Sequence, residues 1–189
     1  MKKQKNLFYE IIINGYYKKV GIIYSLKPCN YPLIQDGKEI KNYNDIQLGL
    51  KDGNYADFDR CINGGNLVSE ELKDLFISYM GDNPNIEFLP VKVVSKEYGD
   101  RIYYIMHFKI IYDVIDKKHS VYVPGTDSII KRCLLWEKVK DLHVFNSMRY
   151  ADDVIISDEV RRAMIRKKLK AGIIFTPVWT DKELRDASC

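Results

Sequence analysis

The chain contains one local pattern twice. Residues 66–94 and 154–179 each run from an apolar pair through a serine and two acidic residues into a helical stretch, and each closes on Phe-x-Pro-Val. The spacing from Ser69 to Phe88 differs by one residue from the spacing between Ser157 and Phe175. A helical period followed by an apolar, β-branched run predicts two similar strand–helix–strand units. The shared positions carry no reactive side chain, which argues against an enzyme.

The two serines are predicted to cap the two helices. A serine hydroxyl at this position accepts a hydrogen bond from a free amide of the first turn, and the acidic residues that follow it lie at the positive end of the helix dipole. Gly172 follows the second helix, where a residue in the left-handed conformation is favoured. The residues predicted to face inward are Leu72, Leu75, Phe76, Tyr79 and Met80 in the first helix, and Val160, Met164 and Leu169 in the second.

Most of the remaining regular structure is predicted to be strand. Residues 7–13 and 20–26 are apolar, aromatic or β-branched and flank Asn14-Gly15, which predicts an N-terminal hairpin within 1–53, followed by a turn-rich part. We expect an α+β fold: a single domain over 1–180 with a mainly antiparallel sheet and two principal helices in similar strand–helix–strand units. The polar residues 181–189 are expected to form a flexible tail.

Composition restricts the functional classes. Of 189 residues, 46% are apolar and 30% are charged, and 30 basic residues against 26 acidic ones leave a net charge of +4, so charge alone does not imply nucleic-acid binding. No apolar run approaches the roughly 20 residues of a membrane span. The four cysteines are scattered, which favours a reducing cytoplasm without a disulfide framework. Histidines and cysteines lack metal-ligand spacing, so we expect neither a metal site nor a cofactor.

One string has the form of a catalytic motif. Tyr150-Ala-Asp-Asp153 resembles the Tyr-x-Asp-Asp turn of reverse transcriptases, in which paired carboxylates hold metal ions for phosphoryl transfer. A polymerase needs a third carboxylate on a neighbouring strand and a large template-binding fold. A small metal-dependent phosphoryl-transfer enzyme using Asp152 and Asp153 therefore stays a third hypothesis. We favour a solvated turn before the Ser157 helix, and we predict no catalytic residue.

The second helix and its end are strongly basic. Residues 161–170 include Arg161, Arg162, Arg166, Lys167, Lys168 and Lys170. One interpretation is a patch for an acidic partner or for nucleic acid, which makes a nucleic-acid-binding accessory protein the alternative function. The other is a solvated helix face whose cations complement the helix dipole, and we favour this second interpretation.

Several strings, read in order, resemble one known family. They are Leu67-Val-Ser-Glu-Glu-Leu, Phe88-Leu-Pro-Val, Tyr103-Tyr-Ile-Met-His-Phe, Ile155-Ile-Ser-Asp-Glu-Val and Gly172-Ile-Ile-Phe-Thr-Pro-Val. Their order and spacing resemble the type-eleven immunity protein family of bacterial polymorphic toxin systems. The resemblance covers residues 54–179, and residues 1–53 match only loosely.

The resemblance implies a function without catalysis. A member of this family would be a small cytoplasmic protein that binds the C-terminal domain of a toxin encoded by a neighbouring gene, and so protects the producing cell and its siblings. If that toxin is a nuclease, carboxylates on the inhibitor could imitate phosphates in its basic groove. The acidic and aromatic loop 52–59 and the Asp-Asp turn suggest the contact residues. These candidates are Asp52, Tyr55, Asp57, Asp59, Asp152 and Asp153.

Overall fold

In a computed structural model of the chain, the two copies of the repeated unit lie in two different β-sheets. The structure describes residues 7–14, 19–26, 39–40, 43–60, 65–81, 85–147 and 153–186. The strands are β1 Phe8–Ile13, β2 Ile22–Ser25, β3 Leu48–Lys51, β4 Phe58–Arg60, β5 Asn66–Val68, β6 Ile86–Val94, β7 Arg101–Phe108, β8 Val121–Tyr122, β9 Ile129–Lys131, β10 Cys133–Leu134, β11 Val144–Phe145, β12 Ile155–Ser157 and β13 Ile173–Thr180. The helices are α1 Glu70–Met80, α2 Trp136–Val139, α3 Asp158–Arg166 and α4 Asp181–Asp186, and a short 3-10 helix spans Tyr43–Asp45.

The α+β class and the two principal helices, α1 and α3, are confirmed. Strands of the described residues form a six-stranded sheet in the order β2-β3-β6-β7-β5-β4, a five-stranded sheet in the order β10-β13-β1-β12-β11, and the pair β8-β9. Most pairings are antiparallel, and the parallel ones are β3 with β6 and β10 with β13. The predicted sheet is therefore divided into three. Among the described helices, none combines the length and the hydropathy that a bilayer-spanning helix needs.

Each copy of the repeat is a split strand–helix–strand unit. In the first, β5 and β6 both pair antiparallel with β7, so they run parallel to each other with β7 between them. In the second, β12 and β13 flank β1 in the same way. This is the split βαβ arrangement, in which a strand from elsewhere in the chain fills the gap left by the crossover.

The serine caps are confirmed in both units. Ser69 Oγ accepts a hydrogen bond from the Leu72 amide at 3.2 Å, and Ser157 Oγ accepts one from the Val160 amide at 3.4 Å. The inward faces also correspond, because the residues three, six and seven positions after each serine are buried. These residues are Leu72, Leu75 and Phe76 in α1, and Val160, Ala163 and Met164 in α3.

The inserted strands extend the repeat beyond what the sequence pattern contains. Tyr104 on β7 and Tyr9 on β1 are equivalent: each lies opposite the proline of its unit and opposite the residue before the capping serine. The Lys73 ammonium lies 4.2 Å from the Tyr104 ring centre, and the Arg161 guanidinium lies 4.4 Å from that of Tyr9. Both cations follow their capping serine by four residues, so each unit repeats one cation–π contact.

The two helices lie antiparallel against a common core. Asp57, which accepts the Ser69 amide at the start of α1, also accepts the amide of Ala171 beyond the end of α3. At the opposite ends, the Tyr79 ring lies 5.5 Å from that of His143, whose Nδ1 is 3.0 Å from Ser157 Oγ. The core between them draws buried side chains from both helices and both large sheets.

The expected N-terminal hairpin is wrong. β1 pairs with β12 and β13, whereas β2 pairs with β3 in the other large sheet. Both edges of β1 are occupied by the strands of the second unit, so neither is left for β2. Alternation in a sequence predicts that a strand exists, but its partner is decided by burial between distant segments. The loop residues 15–18 lie outside the described part of the chain.

The expectation of a flexible tail from residue 181 also needs correction. Residues Asp181–Asp186 form α4, and Glu183 is buried. The Glu183 carboxylate accepts the amide and the hydroxyl of Thr180, both at 2.8 Å, and the Glu183 amide bonds back to Thr180 Oγ1. This reciprocal pairing is a capping box, which the polar sequence of the tail conceals. Residues 187–189 lie outside the described residues.

Candidate functional site

Asp59, a predicted contact residue, links the two edge strands of the six-stranded sheet, β2 and β4. The sheet curls until β2 approaches β4, and its concave side holds an apolar cluster that includes Ile23, Leu67 and Tyr103. Asp59 points to this side, where its carboxylate accepts the amides of Ile23 at 3.1 Å and Arg60 at 2.7 Å. Burial raises the pKa of Asp59 against the lowering effect of these bonds. The side chain is 8% exposed, so we assign it to the fold.

Asp57 joins the two repeated units. Its half-buried carboxylate accepts the Ala171 amide at 3.0 Å, while its backbone carbonyl accepts the Ser69 amide. Burial is the largest influence on Asp57 and raises its pKa. Charge reversal of Asp57 and Asp59 would therefore break internal contacts, and weaker binding by such a variant would not identify a contact surface.

Tyr55 holds the turn between β6 and β7. Its hydroxyl donates to the Gly99 carbonyl at 2.7 Å, and its ring stacks on Tyr103 at 5.7 Å between centres. The Arg101 guanidinium lies 4.6 Å from the centre of the Tyr55 ring. These contacts use both the polar end and the face of the Tyr55 side chain.

Asp153 belongs to a buried ionic group. Its Oδ2 lies 3.2 Å from Arg132 Nη1 and accepts the Ser147 hydroxyl at 2.7 Å, and the same guanidinium lies 3.3 Å from Glu10. Asp153 is 5% exposed, and burial raises the pKa of Glu10. Asp152 lies outside the described residues. Within the described residues, no group of three or more His, Cys, Asp or Glu side chains is placed to hold a metal ion.

Among the candidates that the structure describes, Asp52 is the one left exposed. Its carboxylate is 66% exposed and lies 3.5 Å from Lys51 Nζ, a surface pair of the kind that contributes little to stability. Asp52 adopts a φ of 62°, which aspartate tolerates in turns. The next residue must be glycine, because a Cβ on Gly53 would lie 2.6 Å from the Gly21 amide nitrogen.

The basic segment 161–170 divides into a paired and an unpaired part. Arg161 binds Asp158 at 2.6 Å, and Arg162 Nε lies 3.2 Å from the same carboxylate. The side chains beyond them are exposed and make no hydrogen bond or ion pair with described residues. We call these four residues, Arg166, Lys167, Lys168 and Lys170, the basic turn.

A lysine, not the predicted glycine, ends α3. Lys168 adopts a φ of 62°, its amide bonds to the Ile165 carbonyl, and the Leu169 amide bonds to the Met164 carbonyl. This is a Schellman motif, in which Leu169 packs back on the core. Gly172, with a φ of 73°, lies in the following turn, so its predicted role as the cap is wrong. Lys168 could not be predicted from the sequence as the end of the helix, because glycine is the usual signal for this position.

An apolar groove crosses the six-stranded sheet beside Asp52. Two cavities of about 450 and 410 Å³ share Leu26 and Val94, and Asp52 lines the second. Ile102, which is 50% exposed, lines the first. The groove combines apolar side chains with a charged border, and its concavity is suited to a protruding side chain of a partner.

Comparison with known proteins gives the family. A model of the Immunity protein family (Imm11) matches residues 25–180, and no curated protein matches the chain. The match includes both repeated units and begins earlier than the resemblance seen in residues 54–179. Members of this family are non-enzymatic immunity proteins of polymorphic toxin systems. Since the match covers most of the chain, this protein belongs to the Imm11 immunity protein family.

Proposed function

We propose that this chain acts in the cytoplasm as a stoichiometric inhibitor of one toxin domain, the C-terminal part of a protein encoded by a neighbouring gene. The observation that carries the proposal is the Imm11 match over residues 25–180, since membership implies neutralisation of a toxin. Protection of the producing cell and its siblings follows from such inhibition.

The interior of the fold supports inhibition by binding. An inhibitor gains affinity when its surface is ordered before it meets the partner, because less conformational freedom is then lost on association. Here the two units share one core, and Asp57, Asp59 and Asp153 hold backbone or side-chain groups in place. These carboxylates stabilise the scaffold and are not offered to a partner.

Among the contact residues predicted from the sequence, we propose Asp52 as a direct contact. It is exposed, it borders the apolar groove, and within the described residues it forms an ion pair with Lys51 alone, on the surface. A single charged residue at the border of an interface chiefly affects the association rate. Asp52→Asn removes the charge and keeps a side chain that tolerates the positive φ, so it is expected to weaken toxin binding by about twofold without lowering stability.

Rescue of growth tests the proposal. The C-terminal domain of the neighbouring toxin is expressed from one inducible promoter and this chain from another, in cells that lack both genes. Growth is expected when both are induced and arrest when the toxin domain is induced alone. The matched control is an unrelated toxin domain of the same activity class, which the chain should not neutralise. Arrest by the cognate domain despite abundant folded chain would overturn the proposal.

A further inference from the structure

The basic turn carries charge that the fold does not use. Arg166, Lys167, Lys168 and Lys170 are close in sequence, are all exposed, and have side chains without a partner among the described residues. Like charges held close together repel one another, and an opposite charge brought beside them removes that repulsion. The neighbouring Arg161 and Arg162 differ, because Asp158 binds both.

Helix electrostatics explains only part of this charge. Cations in the last turn of a helix interact favourably with the helix dipole, which accounts for Arg166 and Lys167. Lys168 and Lys170 lie beyond the helix. The last turn of α1 in the first unit contains no basic residue, so the repeated architecture does not require cations at this place.

Lys168 is the residue that most clearly conflicts with local stability. Its φ of 62° disfavours a side chain, and glycine is the residue commonly found at this position of a Schellman motif. The first unit ends its helix differently, since α1 stops at Gly81, whose φ of 66° and ψ of −157° lie outside the left-handed helical region. The second unit instead places a lysine at its positive-φ position, and this side chain has no hydrogen-bond or ion-pair partner among the described residues. Departures from local rules without internal compensation occur at functional sites.

We propose that the basic turn is a docking surface for the cognate toxin domain, and that the toxin presents an acidic patch to it. This inference rests on the proposed function. Ile165, which is 38% exposed on the last turn of α3, lies among the cations and supplies apolar area inside a charged border. Complementary charge of this kind accelerates association and excludes partners of the wrong charge.

The surroundings favour a protein partner over nucleic acid. Because α1 and α3 are antiparallel, the acidic start of α1, with Glu70 and Glu71, lies beside the end of α3. Asp57 is within electrostatic range of Glu71 and bonds to Ala171 next to the basic turn. A phosphate backbone would be repelled along this acidic flank, whereas a protein surface can match both signs.

The test compares two double charge reversals. Lys167→Glu/Lys170→Glu alters the basic turn, and Lys117→Glu/Lys118→Glu alters two exposed lysines of another turn by the same charge. The two turns lie at opposite ends of β13. Asp116 of the control turn donates its amide to Cys133 on β10, which pairs with the end of β13 at Trp179, whereas the basic turn precedes the start of β13 at Ile173. We expect the first variant to bind the toxin domain at least about tenfold more weakly, with reduced salt dependence, and the control to stay within about twofold of the natural chain.

Lys168→Gly separates binding from folding. Removing the strained side chain is expected to raise the thermal midpoint by about 2–4 °C and to weaken toxin binding by about threefold. Weaker binding by a more stable protein cannot be attributed to misfolding. Lys167→Gln/Lys170→Gln serves as a milder pair if the glutamate variant fails to fold, with an expected loss of about fivefold.

The outcomes distinguish the inference from the function on which it rests. Normal toxin binding by both the glutamate and the glutamine variants would overturn the docking surface and leave the proposed function standing. A second outcome is salt-sensitive binding of the natural chain to a short DNA duplex or single-stranded RNA, with this binding lost in the variants and toxin binding unchanged. That outcome would overturn the docking surface in favour of a nucleic-acid surface. Failure of the natural chain itself to bind the toxin domain would overturn both proposals.

Discussion

Individual carboxylates in this protein stabilise backbone groups where the repeated units and sheets meet. Asp59 on β4 accepts the Ile23 amide of β2, and Asp57 links the start of α1 to the segment after α3. Both have pKa values raised by burial, so each is less favourable in its charged form within the fold than in water. Their replacement therefore tests the fold and not the partner.

The pH dependence of stability should reveal Asp59. Because its folded pKa is raised above the ordinary value of 3.8, its stabilising contribution is greatest below that value and falls as the pH rises through the folded pKa. Asparagine keeps one acceptor for the Ile23 amide but does not titrate. Unfolding in urea gives the free energy of unfolding of the natural chain and of Asp59→Asn. The value for the natural chain minus the value for the variant is expected to decrease from about pH 4 to about pH 7. A difference that grows with pH would contradict this role.

The secondary-structure elements show how one local pattern serves two sheets. Each serine cap begins a helix, and each Phe-x-Pro-Val strand pairs with an inserted strand that the pattern does not contain. The helix α4 also stabilises the fold through Trp136. Asp181 accepts the Trp136 amide at 2.8 Å, and the Lys182 ammonium lies 4.3 Å from the Trp136 ring centre. α4 thus joins the end of β13 to α2.

Truncation should separate α4 from the residues that follow it. Ending the chain after Thr180 removes the Glu183 carboxylate, which caps Thr180, and leaves the Trp136 amide without its acceptor. We expect the free energy of unfolding to fall by about 2–3 kcal/mol. Ending the chain after Asp186 is the matched control and should cost less than about 0.5 kcal/mol. Equal stability of the two truncated chains would restore the idea of a flexible tail beginning at residue 181.

At the scale of the molecule, the two units form one core although their sheets are separate. Phe76 of α1 and Met164 of α3 hold equivalent positions and belong to the same buried cluster, together with side chains from both large sheets. We propose that the described part of the chain unfolds as a single domain for this reason. A docking surface built on such a scaffold keeps its geometry without help from the partner.

Core truncation in either unit should then destabilise the whole. Phe76→Ala and Met164→Ala are each expected to lower the free energy of unfolding by about 3 kcal/mol, by loss of buried area and formation of a cavity. Circular dichroism reports on all the helices, and tryptophan fluorescence reports on Trp136 and Trp179 near the five-stranded sheet. The two signals should change at one midpoint in both variants. A separate early transition for Phe76→Ala would show that the first unit folds independently.

Local signals explain what the sequence could predict. A cap requires a serine and its neighbours, and a helix face requires a period, so Ser69, Ser157 and the buried faces of α1 and α3 could be read directly. The position of β1 between β12 and β13 depends on residues more than a hundred positions away, and no short pattern specifies it. The burial of Asp59 could not be predicted for a related reason, because it depends on the approach of β2 to β4.

The candidate surface was predictable only in part. The sequence contained the cations of the basic turn, but it could not show that Asp158 pairs with two of the arginines, while the other four cations find no partner in the described part of the chain. The strain at Lys168 was hidden, since a lysine before Leu169 gives no turn signal. The charges of the loop 52–59 predict an exposed surface. Asp57 and Asp59 instead accept backbone amides inside the protein, and these hydrogen bonds depend on the fold.

Titration of toxin activity with purified chain would show whether the chain inhibits by binding. We expect the C-terminal domain of the neighbouring toxin to lose activity in proportion to added chain, to reach complete inhibition at about one chain per toxin domain, and to recover full activity when the complex is dissociated. Direct binding measured in parallel should give the same stoichiometry. Complete loss of activity at a small fraction of one chain per domain, or no inhibition by an excess of folded chain, would contradict inhibition by binding.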